Sequence, residues 1–172
     1  MNVSYWLLPR AKDAEVLAAK INQLSTEYDA PVFAPHMTLY SGVGELLPAK
    51  TIVRDVGRAF GAPRLRVGPT GQTEERAKTL YLNIERSNAV AEMAEQIKDE
   101  AKGGDYIFKP HLSLIYHDLD TDTRMALAKS SRVPLQEITF DRIQAVNTTA
   151  GLSKEGVAQW EVISYALLTR IG

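Results

Sequence analysis

The sequence predicts an α+β fold in which antiparallel strands and helices form two similar halves. Strands do not alternate singly with helices along the chain, which favours antiparallel sheets over a doubly wound parallel sheet. A scheme of strand, helix and further strands occurs twice, and a short motif recurs once in each half. The 172 residues can form one compact domain with a sizeable core. We therefore expect a single domain over residues 1–172 with a pseudo-twofold arrangement of its halves.

The elements of the first half follow from apolar periodicity and from proline and glycine positions. Apolar residues at helical spacing predict a helix, and alternation with period two predicts strands. In chain order we expect a strand over 3–8, a helix from Asp13 to Tyr28, a strand from Met37 to Val43, a helix with Pro48 in its first turn, and strands over 64–67 and 79–85. The polar segment 71–76 is expected to be a turn.

The second half repeats this order and adds two long strands. Ser87 and Asn88 can cap a helix, which the glycines at 103 and 104 end. The remaining predicted elements are a strand over 111–116, a short helix over 121–130, and strands over 137–147 and 157–169. A break in alternation at Asp141 and Arg142 predicts a β-bulge. We expect the loops 71–76 and 148–156 to be the most mobile segments.

Composition and charge narrow the classes of function. The chain has 20 Lys and Arg against 21 Asp and Glu, a formal net charge of −1, and no basic stripe, which argues against a long nucleic acid as partner. It has no cysteine, so disulfides and thiolate metal sites are excluded and a reducing compartment fits. No apolar stretch predicts a membrane span, and the N-terminal residues do not resemble a signal peptide. We expect a cytoplasmic monomer without a membrane partner.

The most informative feature is a seven-residue motif that occurs twice. Residues 33–39 read Phe-Ala-Pro-His-Met-Thr-Leu and residues 108–114 read Phe-Lys-Pro-His-Leu-Ser-Leu. Five of the seven positions are identical or exchange Thr for Ser, and the histidines, His36 and His111, lie 75 residues apart. Each copy opens a predicted strand, which indicates two equivalent positions in the two halves.

Strand geometry predicts what the two motifs present. Residues two apart on a strand point to the same face, so His36 and Thr38 project together, as do His111 and Ser113. The intervening apolar residues are buried on the other face. If a twofold axis relates the halves, both pairs meet in one cavity with two imidazoles and two hydroxyls.

This set of groups suits the opening of a phosphodiester without a metal. An imidazole has an unperturbed pKa near 6.5, so near neutral pH one histidine can be neutral while its twin is protonated. The neutral ring can take a proton from water and the protonated ring can give one to a leaving alkoxide, each worth roughly 10²–10⁴-fold in rate. The hydroxyls can donate to phosphoryl oxygens as negative charge develops.

Structural and metal-binding roles are the alternatives for these histidines. A lone histidine at a strand start is more often a structural hydrogen-bonding group, but two of only three histidines lie in matched contexts. The third, His117, has no hydroxyl two residues later and is expected to lie on the surface. No His-Glu-x-x-His motif occurs, and Asp118 and Asp120 are interpreted as turn residues or helix caps. We expect no metal.

The motifs resemble those of the 2H phosphoesterase superfamily, which is defined by two His-x-Thr/Ser motifs in pseudo-symmetric lobes. The closest resemblance is to its cyclic phosphodiesterase branch of plants and yeast. That branch has an early Trp-x-x-Pro, found here at residues 6–9, and a Pro-His-x-Thr, found at 35–38. It also has a Pro-His-x-Ser-Leu-x-Tyr, found at 110–116, and a late strand with a tryptophan, which is Trp160 in this chain. The resemblance spans nearly the whole chain, and the histidine motifs are its specific part.

The resemblance implies a bilobal α+β fold with an antiparallel sheet in each lobe, helices outside and a water-filled cleft between. It implies a metal-independent phosphoric diester hydrolase acting on nucleoside 2′,3′-cyclic phosphates or ADP-ribose 1″,2″-cyclic phosphate, without a cofactor. By resemblance, His111 is the base and His36 the acid, while Thr38 and Ser113 hold the phosphate.

The resemblance also implies roles for three aromatic residues. Tyr116 approaches the phosphate from the strand of Ser113, which requires a twist or bulge because its spacing from Ser113 is odd. Trp6 lines the cleft, and Trp160 is assigned to the core.

Two alternative functions stay open at this point. One is an RNA-end enzyme of the same superfamily, acting on 2′,3′-cyclic termini or 2′,5′ linkages, against which the absence of a basic stripe argues. The other is a module that binds a cyclic nucleotide without turnover, although a pure binder has no need of an acid–base pair.

Overall fold

The structure, a computed structural model, describes residues 1–171. Its helices are α1 (Ala11–Tyr28), α2 (Leu46–Ala59), α3 (Asn88–Glu100), α4 (Thr121–Ser130) and α5 (Lys154–Val157), with a 3-10 turn at Arg76–Lys78. Its strands are β1 (Asn2–Pro9), β2 (Met37–Val43), β3 (Arg64–Gln72), β4 (Leu80–Ile84), β5 (His111–Ile115), β6 (Glu137–Asn147) and β7 (Glu161–Leu167). The predicted α+β class is confirmed.

The strands form two matching three-stranded units that are joined into one sheet. One unit has the order β6-β1-β2 and the other β3-β4-β5, with every pairing antiparallel. The units join where Met37 of β2 pairs with Leu112 of β5, and where β3 pairs with the start of β6. Strand β7 extends the first unit beyond β6. This confirms the two pseudo-symmetric lobes and adds that hydrogen bonds connect their sheets.

The helices cover the outer face of this sheet, as expected. Helix α1 packs against β1 and β5, α3 against β2, α2 against β6 and β7, and α4 against β3 and β4. Helices α1, α2 and α3 each use an apolar stripe at helical spacing, such as Leu17, Ile21 and Leu24 of α1, which are at most 2% exposed. The main hydrophobic core results, and a second, small cluster of Trp6, Leu8 and Val146 lies apart from it. The side of β1, β2 and β5 away from the main core lines a cleft.

A matched pair of β-bulges follows the two motifs. Between β1 and β2 the pairing moves from Tyr40 to Thr38 and passes over Leu39. Between β4 and β5 it moves from Ile115 to Ser113 and passes over Leu114. Both leucines are buried. Because each bulge adds one residue, side chains after it that are an odd number of residues from the motif hydroxyl lie on the same face as that hydroxyl. Ser113 and Tyr116 consequently line one surface despite their odd spacing, as the bulge requirement for Tyr116 anticipated.

The predicted bulge in the late strand is also present. Leu8 pairs with Arg142 and Pro9 pairs with Phe140, so that Asp141 is the extra residue of β6. The bulge lies where Pro9, which has no N–H to donate, ends β1.

Two predicted strand boundaries were wrong. The strand expected over 157–169 runs only from Glu161 to Leu167, because the short helix α5 precedes it. Ser153 caps that helix by accepting a hydrogen bond from the Gly156 N–H at 3.0 Å. In the other lobe, β3 continues to Gln72, beyond the expected 64–67. A Cβ at Gly71 would lie 2.5 Å from the Tyr81 ring, so glycine lets β3 pass close to β4.

No helix among residues 1–171 has the length and apolar character that crossing a membrane requires.

Candidate active site

A cavity of about 710 Å³ lies between the two lobes, and both motifs line it. The size is within the range of small-molecule sites. All six residues that the sequence analysis singled out are in its wall: Trp6, His36, Thr38, His111, Ser113 and Tyr116. The structure therefore brings the candidate site residues together in one place.

The pairing of β2 with β5 explains why the motifs meet. Met37 and Leu112, each the residue after a motif histidine, are direct partners and fully buried on the core face. Continuing this antiparallel register by one residue on either side sets His36 beside Ser113 and Thr38 beside His111 on the cleft face. Cross-strand neighbours have Cβ atoms about 4.5–5.5 Å apart. Each imidazole is thus next to the hydroxyl of the other motif.

The two histidine rings are held in the same way. His36 Nδ1 lies 2.7 Å from the Ala34 carbonyl oxygen, and His111 Nδ1 lies 2.7 Å from the Lys109 carbonyl oxygen. A carbonyl can only accept, so Nδ1 carries the hydrogen in both rings. Nε2 of each neutral ring is then left as the acceptor, ready to take a proton. In each motif the accepting carbonyl belongs to the residue before proline, which is held extended.

His36 is enclosed by aromatic side chains. Trp6 stacks on its ring with centroids 3.6 Å apart, and the Tyr116 hydroxyl lies 3.3 Å from Nε2. Phe33 contacts both His36 and Tyr116, with ring centroids 5.9 and 4.2 Å apart. His36 is only 5% exposed, and this burial lowers its pKa to about 4, since the charged form loses hydration.

His111 occupies a more open position. Tyr81 lies edge-on to its ring with centroids 5.6 Å apart, and the Lys78 ammonium lies 4.5 Å from the centre of the Tyr81 ring. Burial is the main cause that lowers the pKa of His111, and the positive charge of Lys78 adds to it. The Lys109 carbonyl that accepts from Nδ1 and the negative charge of Glu75 act in the opposite direction, and the net effect favours the neutral ring.

The two motif hydroxyls differ in their present bonds. Ser113 Oγ donates to the Ala77 carbonyl oxygen at 2.9 Å. Within residues 1–171 the Thr38 hydroxyl has no side-chain hydrogen bond, so its hydrogen is available to a ligand. Ser113 must turn away from Ala77 before it can donate to a phosphoryl oxygen.

The comparison with known families agrees with this geometry. The model of the 2'-5' RNA ligase superfamily matches residues 9–151, a span that includes both motifs. The chain belongs to the 2'-5' RNA ligase superfamily. A search of curated proteins finds no significant match.

Solved structures with the same fold include proteins of the bacteria Thermus thermophilus and Escherichia coli. TT0787 of T. thermophilus has a TM-score of 0.67 at 19% identity, and E. coli LigT in apo form 0.62 at 16%, each with 98% of both chains covered. A protein described as a phosphoesterase has a TM-score of 0.58 at 15% identity, covering 98% of this chain and 99% of its own. At these identities the likeness shows the fold.

Membership of the 2'-5' RNA ligase superfamily confirms the resemblance to the 2H phosphoesterases at the superfamily level. It supports an enzyme that cleaves phosphodiester bonds. Neither the family match nor the shared fold distinguishes the cyclic phosphodiesterase branch from the other branches.

Several residues of the cavity were missed by the sequence analysis. Lys78 and Lys109 bring positive charge to the wall of the second lobe, and Glu75 brings a negative charge. Lys109 stands at one of the two motif positions where the copies differ, and that difference could have indicated it. On the first lobe, Asn2 and Ser4 share the cleft face of β1 with Trp6, and polar residues alternating along a buried strand could have indicated this.

Trp160 was assigned to the core, but it packs against the core with only part of its surface. It is half-buried and lines the cavity, with its ring edge-on to Trp6 at 5.5 Å between centroids. Its Nε1 donates to the Gly151 carbonyl oxygen at 3.0 Å, which anchors the loop before β7. His117 lies in a bend outside the cavity and is partly exposed, as predicted.

Among residues 1–171, no three or more His, Asp or Glu side chains are grouped so that they could hold a metal ion.

The buried His36 should make stability sensitive to acid. Its pKa is about 4 when folded against 6.5 when free, so between these values the unfolded chain binds more protons and stability falls as the pH falls. This loss is about 3 kcal/mol. Urea unfolding measures the free energy of unfolding of wild type and of His36→Asn at pH 7 and at pH 4. Between these pH values the decrease should be about 3 kcal/mol smaller in His36→Asn than in wild type. From pH 7 to 9 the two curves should run parallel. Equal losses in acid would contradict the burial-induced pKa shift.

Proposed function

We propose that the protein hydrolyses small cyclic phosphates, and nucleoside 2′,3′-cyclic phosphates in particular, by acid–base catalysis with His36 and His111. One observation carries the proposal. Two imidazoles in the same tautomer face one cavity, and the register of β2 and β5 puts a hydroxyl beside each of them. This is a two-sided arrangement, which in-line displacement at phosphorus needs.

In the proposed reaction a water molecule attacks phosphorus opposite the ester bond that breaks. His111 takes a proton from the water as the new P–O bond forms. His36 gives a proton to the ribose oxygen as the old P–O bond breaks. The histidines finish with their protonation states exchanged, and proton exchange with solvent restores them.

His36 must be protonated to act as the acid, although burial favours its neutral form in the free protein. A bound phosphodiester carries a negative charge, and an opposite charge within a few ångströms raises the pKa of an imidazole. Stacking on Trp6 favours the cationic ring further, because the face of an indole attracts a cation. His111, with Lys78 nearby, is the ring better kept neutral as a base.

Thr38, Ser113 and Tyr116 are proposed to bind the phosphoryl oxygens. Thr38 offers a free hydroxyl hydrogen, and Ser113 offers one after leaving Ala77. The Tyr116 hydroxyl lies beside His36 Nε2, and on turning from that nitrogen it can donate to a phosphoryl oxygen bound next to His36. Burial raises the pKa of Tyr116, so its hydroxyl keeps its proton and stays a donor at neutral pH. Donors held in place for developing charge can supply a large part of catalysis.

The nucleotide character of the substrate has independent support. E. coli LigT, which shares the fold, has been solved in complex with phosphate and with 3'-AMP. Opening an adenosine 2′,3′-cyclic phosphate at its 2′ oxygen yields a nucleotide of that kind. ADP-ribose 1″,2″-cyclic phosphate remains a second candidate substrate for the same two-histidine chemistry.

Product analysis with a panel of cyclic phosphates tests the proposal. We expect nucleoside 2′,3′-cyclic phosphates to be converted to monophosphates at an undiminished rate in EDTA, because the proposed steps use side chains alone. Loss of activity on chelation, restored by one divalent ion, would point to a metallophosphoesterase. Binding of the cyclic nucleotides without any product would point to a binding module.

An RNA-end phosphodiesterase is the second candidate function. The name of the matched superfamily and the two lysines in the cavity wall favour it. The same assay distinguishes it by including an RNA oligomer with a 2′,3′-cyclic end and a 2′,5′-linked dinucleotide. We expect the mononucleotide to have the higher kcat/KM, since the net charge is −1 and the sequence has no basic stripe. A higher value for either RNA substrate would replace our proposal with this one.

A further inference from the structure

A cluster of four polar side chains lines the first-lobe end of the cavity and has no part in the proposed phosphate chemistry. We name it the Asn2 cluster, and it consists of Asn2, Ser4, Ser41 and Thr148. Asn2 and Ser4 follow the cleft face of β1, Ser41 reaches that face through the Leu39 bulge of β2, and Thr148 follows β6.

Four hydrogen bonds of ordinary length connect these side chains. Asn2 Nδ2 donates to Ser41 Oγ at 3.1 Å and to Thr148 Oγ1 at 2.8 Å. Ser4 Oγ lies 2.8 Å from Ser41 Oγ and 2.9 Å from Thr148 Oγ1. Ser4 itself is only 6% exposed. Side chains tied together in this way lose little further freedom when a ligand binds.

Counting hydrogens shows what the cluster has left for a ligand. The Asn2 amide supplies two hydrogens and the three hydroxyls supply three, while the four bonds use four of the five. Turning the amide around would leave only three hydrogens for four contacts, so its present orientation is the one that satisfies the network. One hydroxyl hydrogen makes no bond within the cluster. Within residues 1–171, Asn2 Oδ1 accepts no hydrogen bond, which leaves an acceptor beside that donor.

A free donor next to a free acceptor matches the edge of a nucleobase. Each base carries neighbouring donor and acceptor atoms on its pairing edge, and enzymes read a base in a pocket through that edge. Trp160 and Leu152 also line the cavity and offer the flat face of a base an apolar wall. Leu152 is next in the chain to Gly151, whose N–H donates to the Thr148 carbonyl oxygen. The bond from Trp160 Nε1 to the Gly151 carbonyl oxygen holds that wall in place.

The spacing along β1 also suits a nucleoside. Trp6, which stacks on His36, pairs with Thr38 at the phosphate end, and Ser4 is two residues further along the same face. Two residues of an extended strand span about 6.6–6.8 Å. A nucleoside cyclic phosphate has its base and phosphate separated by the ribose alone, so its base can reach the cluster while the phosphate is between the histidines.

Resting on the proposed function, we infer that the Asn2 cluster is a recognition site for the nucleobase of the cyclic nucleotide substrate. The free hydrogen can be on the hydroxyl of Ser4, Ser41 or Thr148, since all three hydroxyls can rotate. The site can therefore adapt to different arrangements of donor and acceptor. It therefore selects for the presence of a base and discriminates weakly between bases.

The test compares kcat/KM for adenosine 2′,3′-cyclic phosphate with that for abasic ribose 2,3-cyclic phosphate, which has the same reacting ring. Wild type should prefer the nucleotide. Asn2→Ala removes the free acceptor, and Thr148→Val removes the hydroxyl that accepts from Asn2 Nδ2 and so orients the amide. Each variant should reduce that ratio about 3- to 10-fold, the size of one hydrogen bond. Thr139→Val is the matched control, since Thr139 is a half-buried threonine of β6 outside the cavity, and the ratio should not change.

The outcomes separate this inference from the proposed function. A wild type that opens both compounds without preferring the nucleotide overturns the inference alone, and this measurement needs no variant. An unchanged ratio in both cluster variants does the same. If wild type opens neither compound, the proposed function fails and the inference fails with it.

Discussion

Replacing His36 or His111 by alanine should lower kcat on a nucleoside 2′,3′-cyclic phosphate by about 10²–10⁴-fold, with much smaller changes in KM. Each ring is proposed to move one proton in the transition state, so its loss removes an interaction that the bound substrate does not yet use. Replacing both histidines should cost less than the product of the single effects, because the two groups act as a unit. Steady-state kinetics of the two single variants and the double variant measure these losses.

The third histidine provides the matched control for this experiment. His117 lies outside the cavity, and in His117→Ala kcat should stay within about twofold of wild type, as for a surface substitution away from the site. If His36→Ala and His111→Ala raised KM while kcat stayed the same, the histidines would be binding the phosphate without moving protons. The acid–base mechanism would then be wrong.

The repeated motif made the centre of the site predictable from sequence. Because strand side chains alternate, the sequence alone assigns His36 with Thr38 and His111 with Ser113 to one face of each strand. Their apolar neighbours Met37 and Leu112 had to be buried on the other face, and they are fully buried. These inferences need only local geometry, which is why they could be made from single strands.

Features that depend on contacts between distant segments were harder to predict. Trp160 comes after the short helix that Ser153 caps. In that helix Gly156 lies so close to the Ala150 carbonyl oxygen that no side chain would fit there. Trp160 lines the cavity, and nothing in the alternation of the late strand indicates this position. The Asn2 cluster likewise exists only because β6 pairs with β1 and brings Thr148 to Asn2 across the sheet.

The two β-bulges after the motifs were predictable only in part. Tyr116 could be placed on the cleft face only by assuming an irregularity after Ser113, and Leu114 provides it. The equivalent bulge at Leu39 was not predicted, because no aromatic residue at the matching position called attention to it. Its consequence, that Ser41 faces the cavity, was missed for the same reason.

The division of labour between the histidines leads to the second large expected effect. A substrate with a nitrophenolate leaving group needs no proton on that group, so the acid becomes dispensable. On such a phosphodiester His36→Ala should recover to within about tenfold of wild type, while His111→Ala should remain about 10²-fold or more impaired, since the base is still needed. The measurement is kcat for both variants on the nitrophenyl ester and on the cyclic nucleotide.

The environments of the two rings explain why this assignment is favoured over its reverse. His36 is stacked on Trp6 and enclosed with Tyr116, so an anionic ligand and an aromatic face can both stabilise its cation. The pKa of His111 is lowered chiefly by burial, and the Lys78 ammonium also opposes its protonation while the Glu75 carboxylate favours it. His111 has no aromatic ring stacked on its face as His36 has, so its cation is the less stabilised of the two. Recovery of His111→Ala instead of His36→Ala on the nitrophenyl ester would reverse the two roles.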